Sequence, residues 1–305
     1  MISLERWQTM GTHRQVRNRK LFVVDLGPRE DAAPLLLIHG FPTSSYDFSS
    51  VIEALPGRRV VALDLLGFGL SDKPWPHDYS LLEQTELFLA LLGDLKIKRA
   101  HLIAHDMGDT IVQELLGRRL ESASLLPFEI ASVTLLNGGV LIDRVRPLLV
   151  QRLLGSALGR WVVPALPSLM ARRTFDLSLR RIAGPHRPPT SEELDAQYQL
   201  LSRDAGQRIL PYLAGYMRER HEHAKRWRRA LLTHPFPMRL IWGDADPINP
   251  WSMVDAILSE RPTTQTIRLR QVGHYPHLEA PGQVACHLLE FVDAASEPRP
   301  EAARA

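Results

Sequence analysis

The stretch Ala104-His105-Asp106-Met107-Gly108 restricts what this 305-residue chain can fold into more than any other. An apolar run, Leu102-Ile103-Ala104, enters it, and a helical pattern of Ile111, Val112, Leu115 and Leu116 leaves it. A small residue two places before Asp106 and a glycine two places after it let a strand turn sharply into a helix, with the central side chain exposed on a strained backbone. The motif therefore predicts a nucleophile elbow at the edge of a sheet. Its central residue is a carboxylate, which attacks carbon centres such as epoxides or alkyl halides and forms an alkyl ester, whereas an activated serine forms acyl esters.

The flanking chain supplies the sheet. Residues 12–26 alternate polar and apolar and read as a hairpin, and Leu35-Leu36-Leu37-Ile38 reads as a buried parallel strand that exits into His39-Gly40-Phe41-Pro42. Thr43-Ser44-Ser45 offers a helix cap, Arg59 to Asp64 another strand, Leu81 to Leu92 a helix, and Ile130 to Leu136 a strand after the elbow helix. Alternating units of this length imply a mostly parallel, doubly wound α/β sheet. The rhythm breaks between 140 and 235, where helical patterns at 147–154, 191–202 and 205–232 predict an inserted helical cap. Thr190-Ser191-Glu192-Glu193 looks like a helix start. Strand and helix patterns resume from Met238, so residues 1–139 and 236–293 are expected to form the core and 294–305 a frayed tail.

Composition narrows the setting. A core of this size buries roughly three quarters of the unfolded chain's surface, so no metal or disulfide staple is required. Cys286 is the only cysteine, which excludes an internal disulfide, and reads as a small buried residue on the last helix. Charge is nearly balanced, 37 Lys+Arg against 34 Asp+Glu. The basic run Arg218, Arg220, Lys225, Arg226, Arg228 and Arg229 reads as a solvated helix face, with attraction to anionic lipid as the sharper alternative. No nucleic-acid motif accompanies it. No stretch has the length of a membrane span, and the N-terminus lacks a signal-peptide run, so a soluble cytoplasmic protein is expected.

An ester on Asp106 is useful only if water removes it, which calls for a general base. His274, in the loop Gly273-His274-Tyr275-Pro276 after the final strand, is the candidate, and the orienting acid should stand between nucleophile and histidine in the chain. Asp246 fits, because Asp246-Pro247 begins a loop, while Asp244 lies beside the strand end. Backbone N–H groups of Met107 and Phe41 are the natural oxyanion donors. His101, His105, His277 and His287 read as packing or surface residues.

Residues 34–139 and 236–292 resemble the α/β-hydrolase superfamily, in particular its aspartate-nucleophile branch of epoxide hydrolases and haloalkane dehalogenases. The motifs that carry the resemblance are His39-Gly40-Phe41-Pro42, Gly67-Phe68-Gly69-Leu70-Ser71-Asp72-Lys73-Pro74, His105-Asp106-Met107-Gly108 and Gly273-His274. It implies a cofactor-free and metal-free hydrolase working through an Asp106 ester. Dehalogenases of this branch hold the halide with side-chain donors where this chain has Met107 and Phe41, which donate nothing. Epoxide hydrolases use two cap tyrosines; Tyr216 resembles the later one, and 141–154 holds no counterpart of the earlier one, with Tyr198 and Tyr212 read as packing. Epoxide hydrolysis is thus the leading expectation, ahead of dehalogenation, ester or lipid hydrolysis, and a non-catalytic ligand-binding role. His39, Tyr216 and Trp161 are the candidate substrate contacts, and the Leu- and Trp-rich cap with Trp161, Leu166 and Met170 suggests a small lipophilic substrate.

Overall fold

The central strands after the opening hairpin are buried on both sides, so they can be stable only between two layers of helix. In the computed structural model, which describes residues 2–166 and 171–296, the chain runs α1 (Leu4–Met10), β1 (Gly11–Val16), β2 (Arg19–Leu26), β3 (Leu35–Ile38), α2 (Ser49–Glu53), β4 (Val60–Leu63), α3 (Leu81–Asp94), β5 (Arg99–His105), α4 (Met107–Glu121) and β6 (Glu129–Leu136). Helices α5 (Leu149–Leu154), α6 (Ala157–Ala165), α7 (Arg172–Ile182), α8 (Ser191–Ser202), α9 (Leu210–Leu213), α10 (Tyr216–Glu222) and α11 (Ala224–Thr233) follow. The chain closes with β7 (Met238–Gly243), α12 (Trp251–Glu260), β8 (Gln265–Leu269), α13 (Pro276–Glu279) and α14 (Pro281–Ser296). Among the described residues the strands form one sheet in the order β1-β2-β4-β3-β5-β6-β7-β8, parallel from β4 to β8 and antiparallel at the β1–β2 and β2–β4 pairings.

The two-residue period of a strand divides its side chains between the two layers. Leu36 and Ile38 of β3, Leu102 and Ala104 of β5, and Leu240 and Trp242 of β7 join α3, α4 and α12. Leu35 and Leu37, Ile103, and Ile241 join α1, α2 and α14. One polar exception is His101, whose ring bonds Ser132 Oγ at 2.8 Å and Ser296 Oγ at 3.2 Å. Burial lowers its pKa to about 4, so it packs as a neutral group.

Between β6 and β7 the regular structure of the described residues is helical, in keeping with the change of pattern there. The expected cap box holds: Thr190 Oγ1 accepts from Glu193 N and Glu193 Oε2 from Thr190 N. The single helix expected over 205–232 is instead broken. Asp204 and Ala205 adopt left-handed φ of 53° and 58°, and turns at Gly215 and His223 separate α9, α10 and α11. Helices α6 and α7 lie where periodicity was masked by Pro164 and by paired arginines. Thr43 and Ser45 do not cap a helix; their hydroxyls bond Asp47 and Asp64. Cys286 lies on α14 as expected but is exposed, on the outward side of a helix that buries Ala285 and Leu288. Residues 297–305, most of the expected tail, lie outside the described residues, as does Met170.

Glu114 ties the helical segment to the core. Buried on α4, it accepts from Arg118 Nε at 2.8 Å, from Trp227 Nε1 of α11 at 2.8 Å, and from the Arg226 guanidinium. Burial alone would raise its pKa, but these cations and the indole N–H hold it below the usual range. The elbow helix meets the sheet as closely as two backbones can. A methyl group on Gly108 would lie 2.3 Å from the Ile38 carbonyl oxygen and 2.9 Å from that of His39. Gly108→Ala is expected to cost about 1–3 kcal/mol, as overpacking does in a close-packed core, read as a lowered urea midpoint; an unchanged midpoint would show that α4 can move off β3 freely.

Candidate active site

The site begins with a backbone that a side chain rarely tolerates. Asp106, between β5 and α4, has φ 48° and ψ −105°, outside the regions open to most non-glycine residues. The turn closes because its neighbours are small. A Cβ on Gly40 would meet Asp106 Cβ at 2.6 Å and the His105 carbonyl at 2.9 Å, so only glycine lets the β3 exit loop pass beside the elbow. That approach brings the N–H of Phe41 to 3.1 Å from Asp106 Oδ2. Met107, the other expected donor, opens α4, where first-turn N–H groups have no helical acceptor.

His274 and Asp246 come together as expected. His274 Nδ1 stands 2.9 Å from Asp246 Oδ2, and since the carboxylate only accepts, Nδ1 carries the proton and Nε2 is left as the basic nitrogen. Burial alone would lower the histidine's pKa, but the charge and hydrogen bond of Asp246 outweigh it and raise the value above the ordinary 6.5. Asp246 is itself oriented by Ile248 N at 2.7 Å and Asn137 Nδ2 at 3.0 Å. Asp244 bonds Arg268 and the backbone of Gln271 instead. Asn137, left-handed at the end of β6, also accepts from Gly243 N at 2.7 Å, clamping the ends of β6 and β7. The histidine loop hangs on Glu279, whose carboxyl accepts from Gly273 N, Tyr275 N and Gly184 N, while His274 N donates to Ile182 O. His105 Nε2 donates to the His274 carbonyl at 2.8 Å.

Arg220 of α10 is the residue that the sequence hid. It is 5% exposed, and its Nη2 reaches the Asp106 carbonyl oxygen at 2.9 Å and Oδ1 at 3.5 Å, while Nε donates to Thr110 Oγ1 at 2.8 Å. Surrounded in the chain by other basic residues, it read as part of a solvated face. That face is largely paired: Arg218 with Glu222, Arg226 with Glu114 and Glu121, Arg228 with Glu260 and Asp143. Asp109, one turn along α4, is fully buried. Its burial and the charge of Asp106 raise its pKa far above the carboxylate range, so it is a neutral acid.

The three candidate substrate contacts fare differently. His39 is fully buried and spoken for, with Nε2 accepting from Leu65 N and Nδ1 donating to Gly40 O, both at 2.9 Å. It shapes the loop and has no free nitrogen for a substrate. Trp161 is 80% exposed on α6 and does not line the cavity, because α6 turns Gly159 and Val163 inward. Tyr216 is buried, its ring 5.8 Å from that of Phe41 and 4.6 Å from the Arg220 guanidinium carbon. Burial and the charge of Asp106 push its phenol well above the ordinary value, so it stays protonated. Tyr198 packs on Phe175 and Tyr212 on Trp75.

Phe41 and His274 open onto an apolar cavity lined also by Leu148, Phe175, Leu179 and Leu210. Behind His274, the buried Asp47, His105 and His277 each place one ligand-type atom within 4.8 Å of the others. Both Asp47 oxygens already accept hydrogen bonds, from Thr43 and Gln197, and burial lowers the pKa of His277 to about 3, so it is neutral.

The α/β hydrolase fold family matches residues 33–281 of this chain. The chain is 38% identical over 279 residues to LipZ of Mycobacterium tuberculosis, covering 92% of this chain and 94% of that one. It is 36% identical over 286 residues to the mesoderm-specific transcript protein of Mus musculus, covering 92% and 84%. Among solved structures it resembles an α/β hydrolase fold protein from Burkholderia ambifaria (TM-score 0.77, 24% identity, 92% and 97% covered). It also resembles the haloalkane dehalogenase DbeA from Bradyrhizobium elkani (TM-score 0.74, 22% identity, 94% and 99% covered), a likeness of fold.

Removing one member of a buried pair strands the other's charge. Arg220→Met is expected to destabilise the protein by about 3–5 kcal/mol, and Asp106→Asn combined with it to recover part of that loss in denaturant titrations. Strictly additive single changes would mean that the two groups do not interact.

Proposed function

The chain belongs to the α/β-hydrolase family, and on that premise we propose that it hydrolyses epoxides through an ester on Asp106. The observation that carries the reading is the elbow carboxylate itself, with one oxygen on the Phe41 N–H and the His274–Asp246 pair in the same site.

The arrangement supports a two-step reaction. Asp106 Oδ1 attacks a ring carbon, the carbon–oxygen bond of the epoxide breaks, and the departing oxygen takes a proton from Tyr216. His274 Nε2 then removes a proton from water, whose oxygen adds to the Asp106 carbonyl carbon. The resulting oxyanion rests on the N–H groups of Phe41 and Met107. Collapse releases the second diol oxygen, protonated by His274, and the proton left on the Asp106 carboxyl returns to the Tyr216 phenolate, restoring both groups; the sum is epoxide plus water to diol. The apolar lining of the cavity favours a lipophilic epoxide. Dehalogenation is disfavoured because neither Met107 nor Phe41 has a side-chain donor for the leaving halide, and an aspartate attacking an ester would give a labile anhydride.

Without its base the enzyme should stall as the ester. Intact mass of His274→Gln after exposure to epoxides should rise by the whole epoxide, with the adduct mapped to Asp106, and Asp106→Asn should show neither adduct nor turnover. An alkyl adduct lacking halide after exposure to haloalkanes would reassign the reaction, and full activity in Asp106→Asn would remove the nucleophile.

Only neutral His274 can accept a proton, so the rate should climb as pH rises through a value above 6.5. Asp246→Asn should move that limb to lower pH and lower the plateau. Because the folded value is raised, the pair's contribution to stability is complete below 6.5 and lost as pH rises through the folded pKa, so wild type and Asp246→Asn should differ most in acid.

A further inference from the structure

Helices α5 and α7 have two working faces. Inward, Val150 and Leu154 of α5 and Phe175 and Leu179 of α7 line the apolar cavity. Outward, α5 leaves Leu149 81% exposed, and α7 leaves Leu177 59% exposed. Helix α6, packed on α5, shows Leu158 and Trp161, 62% and 80% exposed. Isolated surface leucines are ordinary, but large apolar side chains repeated on successive helices mark a contact surface.

Charge decides what covers it. Residues 149–182 hold six arginines and one acid, Asp176; Arg172 engages it and Asp195, Arg160 engages Asp78, and Arg152, Arg173, Arg180 and Arg181 make no ion pair among the described residues. Arg152 is exposed beside Leu153, and Arg173, Arg180 and Arg181 are exposed at helical spacing around Leu177. In a symmetric pairing of two copies this positive face would oppose itself, at a Coulombic cost. Aromatic and aliphatic side chains ringed by arginine are instead what an anionic lipid surface takes, the indole at the headgroup boundary and the guanidinium groups on phosphate. The basic run 218–229 cannot serve this purpose, since much of it is spent on internal pairs.

We propose that the outer faces of α5, α6 and α7 dock on an anionic membrane surface, with Leu149, Leu158, Trp161 and Leu177 in the headgroup layer. The contact needs no helix that crosses the bilayer, and among the described residues no helix is long and apolar enough to do so. Docking sets the far side of the cavity-lining helices on lipid, a short route for a lipophilic substrate. That consequence rests on the reaction proposed above; the docking does not, so Asp106→Asn must bind vesicles like the native chain.

The test is flotation of the full chain with phosphatidylcholine vesicles, with and without phosphatidylserine. The expected result is binding to the anionic vesicles, weakened by salt as the Debye length shrinks. Trp161→Glu should reduce it roughly tenfold or more, the scale of one large apolar side chain, and Arg173→Ala about fivefold. Leu120→Glu, a change at an exposed leucine of α4, should leave binding intact and controls for general surface effects. No flotation with anionic vesicles, equal salt-insensitive flotation with neutral ones, or native binding by Trp161→Glu overturns the proposal. So does a solution dimer that Trp161→Glu splits, which would assign the face to a second copy.

Discussion

Everything in the site follows from a left-handed turn at a residue that has a side chain. Asp106 can hold a φ of 48° only because the chain around it leaves no alternative: β5 is fixed on both sides in the sheet, α4 is pressed against the β3 exit, and Gly40 and Gly108 remove the atoms that would collide. Strain of this kind, on the order of 1–3 kcal/mol, persists where the surroundings over-determine it. The reward is geometric. The carboxylate is lifted clear of its own helix and set against the N–H of Phe41, so a group from one strand end and a donor from another meet without any flexible loop between them.

Two buried acid–base pairs then divide the electrostatics. Asp246 faces His274 and fixes its tautomer, while Arg220 faces Asp106 from the helical segment. The two are held differently. Asp246 is bound into the ends of β6 and β7 through Asn137, so it is as rigid as the sheet. Arg220 sits on a short helix beyond a series of breaks, and it reaches the elbow from outside the sheet. Asp246 is thus held wholly by the sheet and its loops, whereas Asp106 also depends on a contact with the helical segment between β6 and β7.

How much of this could be read in the chain depended on how local the signal was. The elbow, the Gly40 turn, the alternation of strand and helix around them and the Asp246 and His274 loops are written within a few residues each, because strand exits at one edge of a parallel sheet converge by topology. Arg220 is separated from Asp106 by 114 positions and surrounded by residues of the same charge, so nothing beside it distinguishes the one arginine that turns inward. Nothing beside Asn137 in the chain marks its role, because the groups its side chain clamps are on another strand. Trp161 misled in the opposite direction: an indole in an apolar stretch suggests a pocket, but which side of α6 faces inward is set by Gly159 and Val163, and the tryptophan is on the other side. His39 shows that a motif residue can be identified correctly and still be misassigned, since both of its nitrogens serve the loop.

The hydrogen bonds of Glu279 carry a consequence for how substrate can enter. One carboxyl gathers N–H groups from both sides of His274 and from Gly184, and the His274 amide is bound to Ile182. The end of α7 is therefore stitched to the backbone of His274 itself. A movement that admits a substrate by lifting that end would also carry the imidazole away from Asp246. The helical segment can shift without separating His274 from Asp246 only by pivoting about this seam, as a door turns on the jamb that holds its latch.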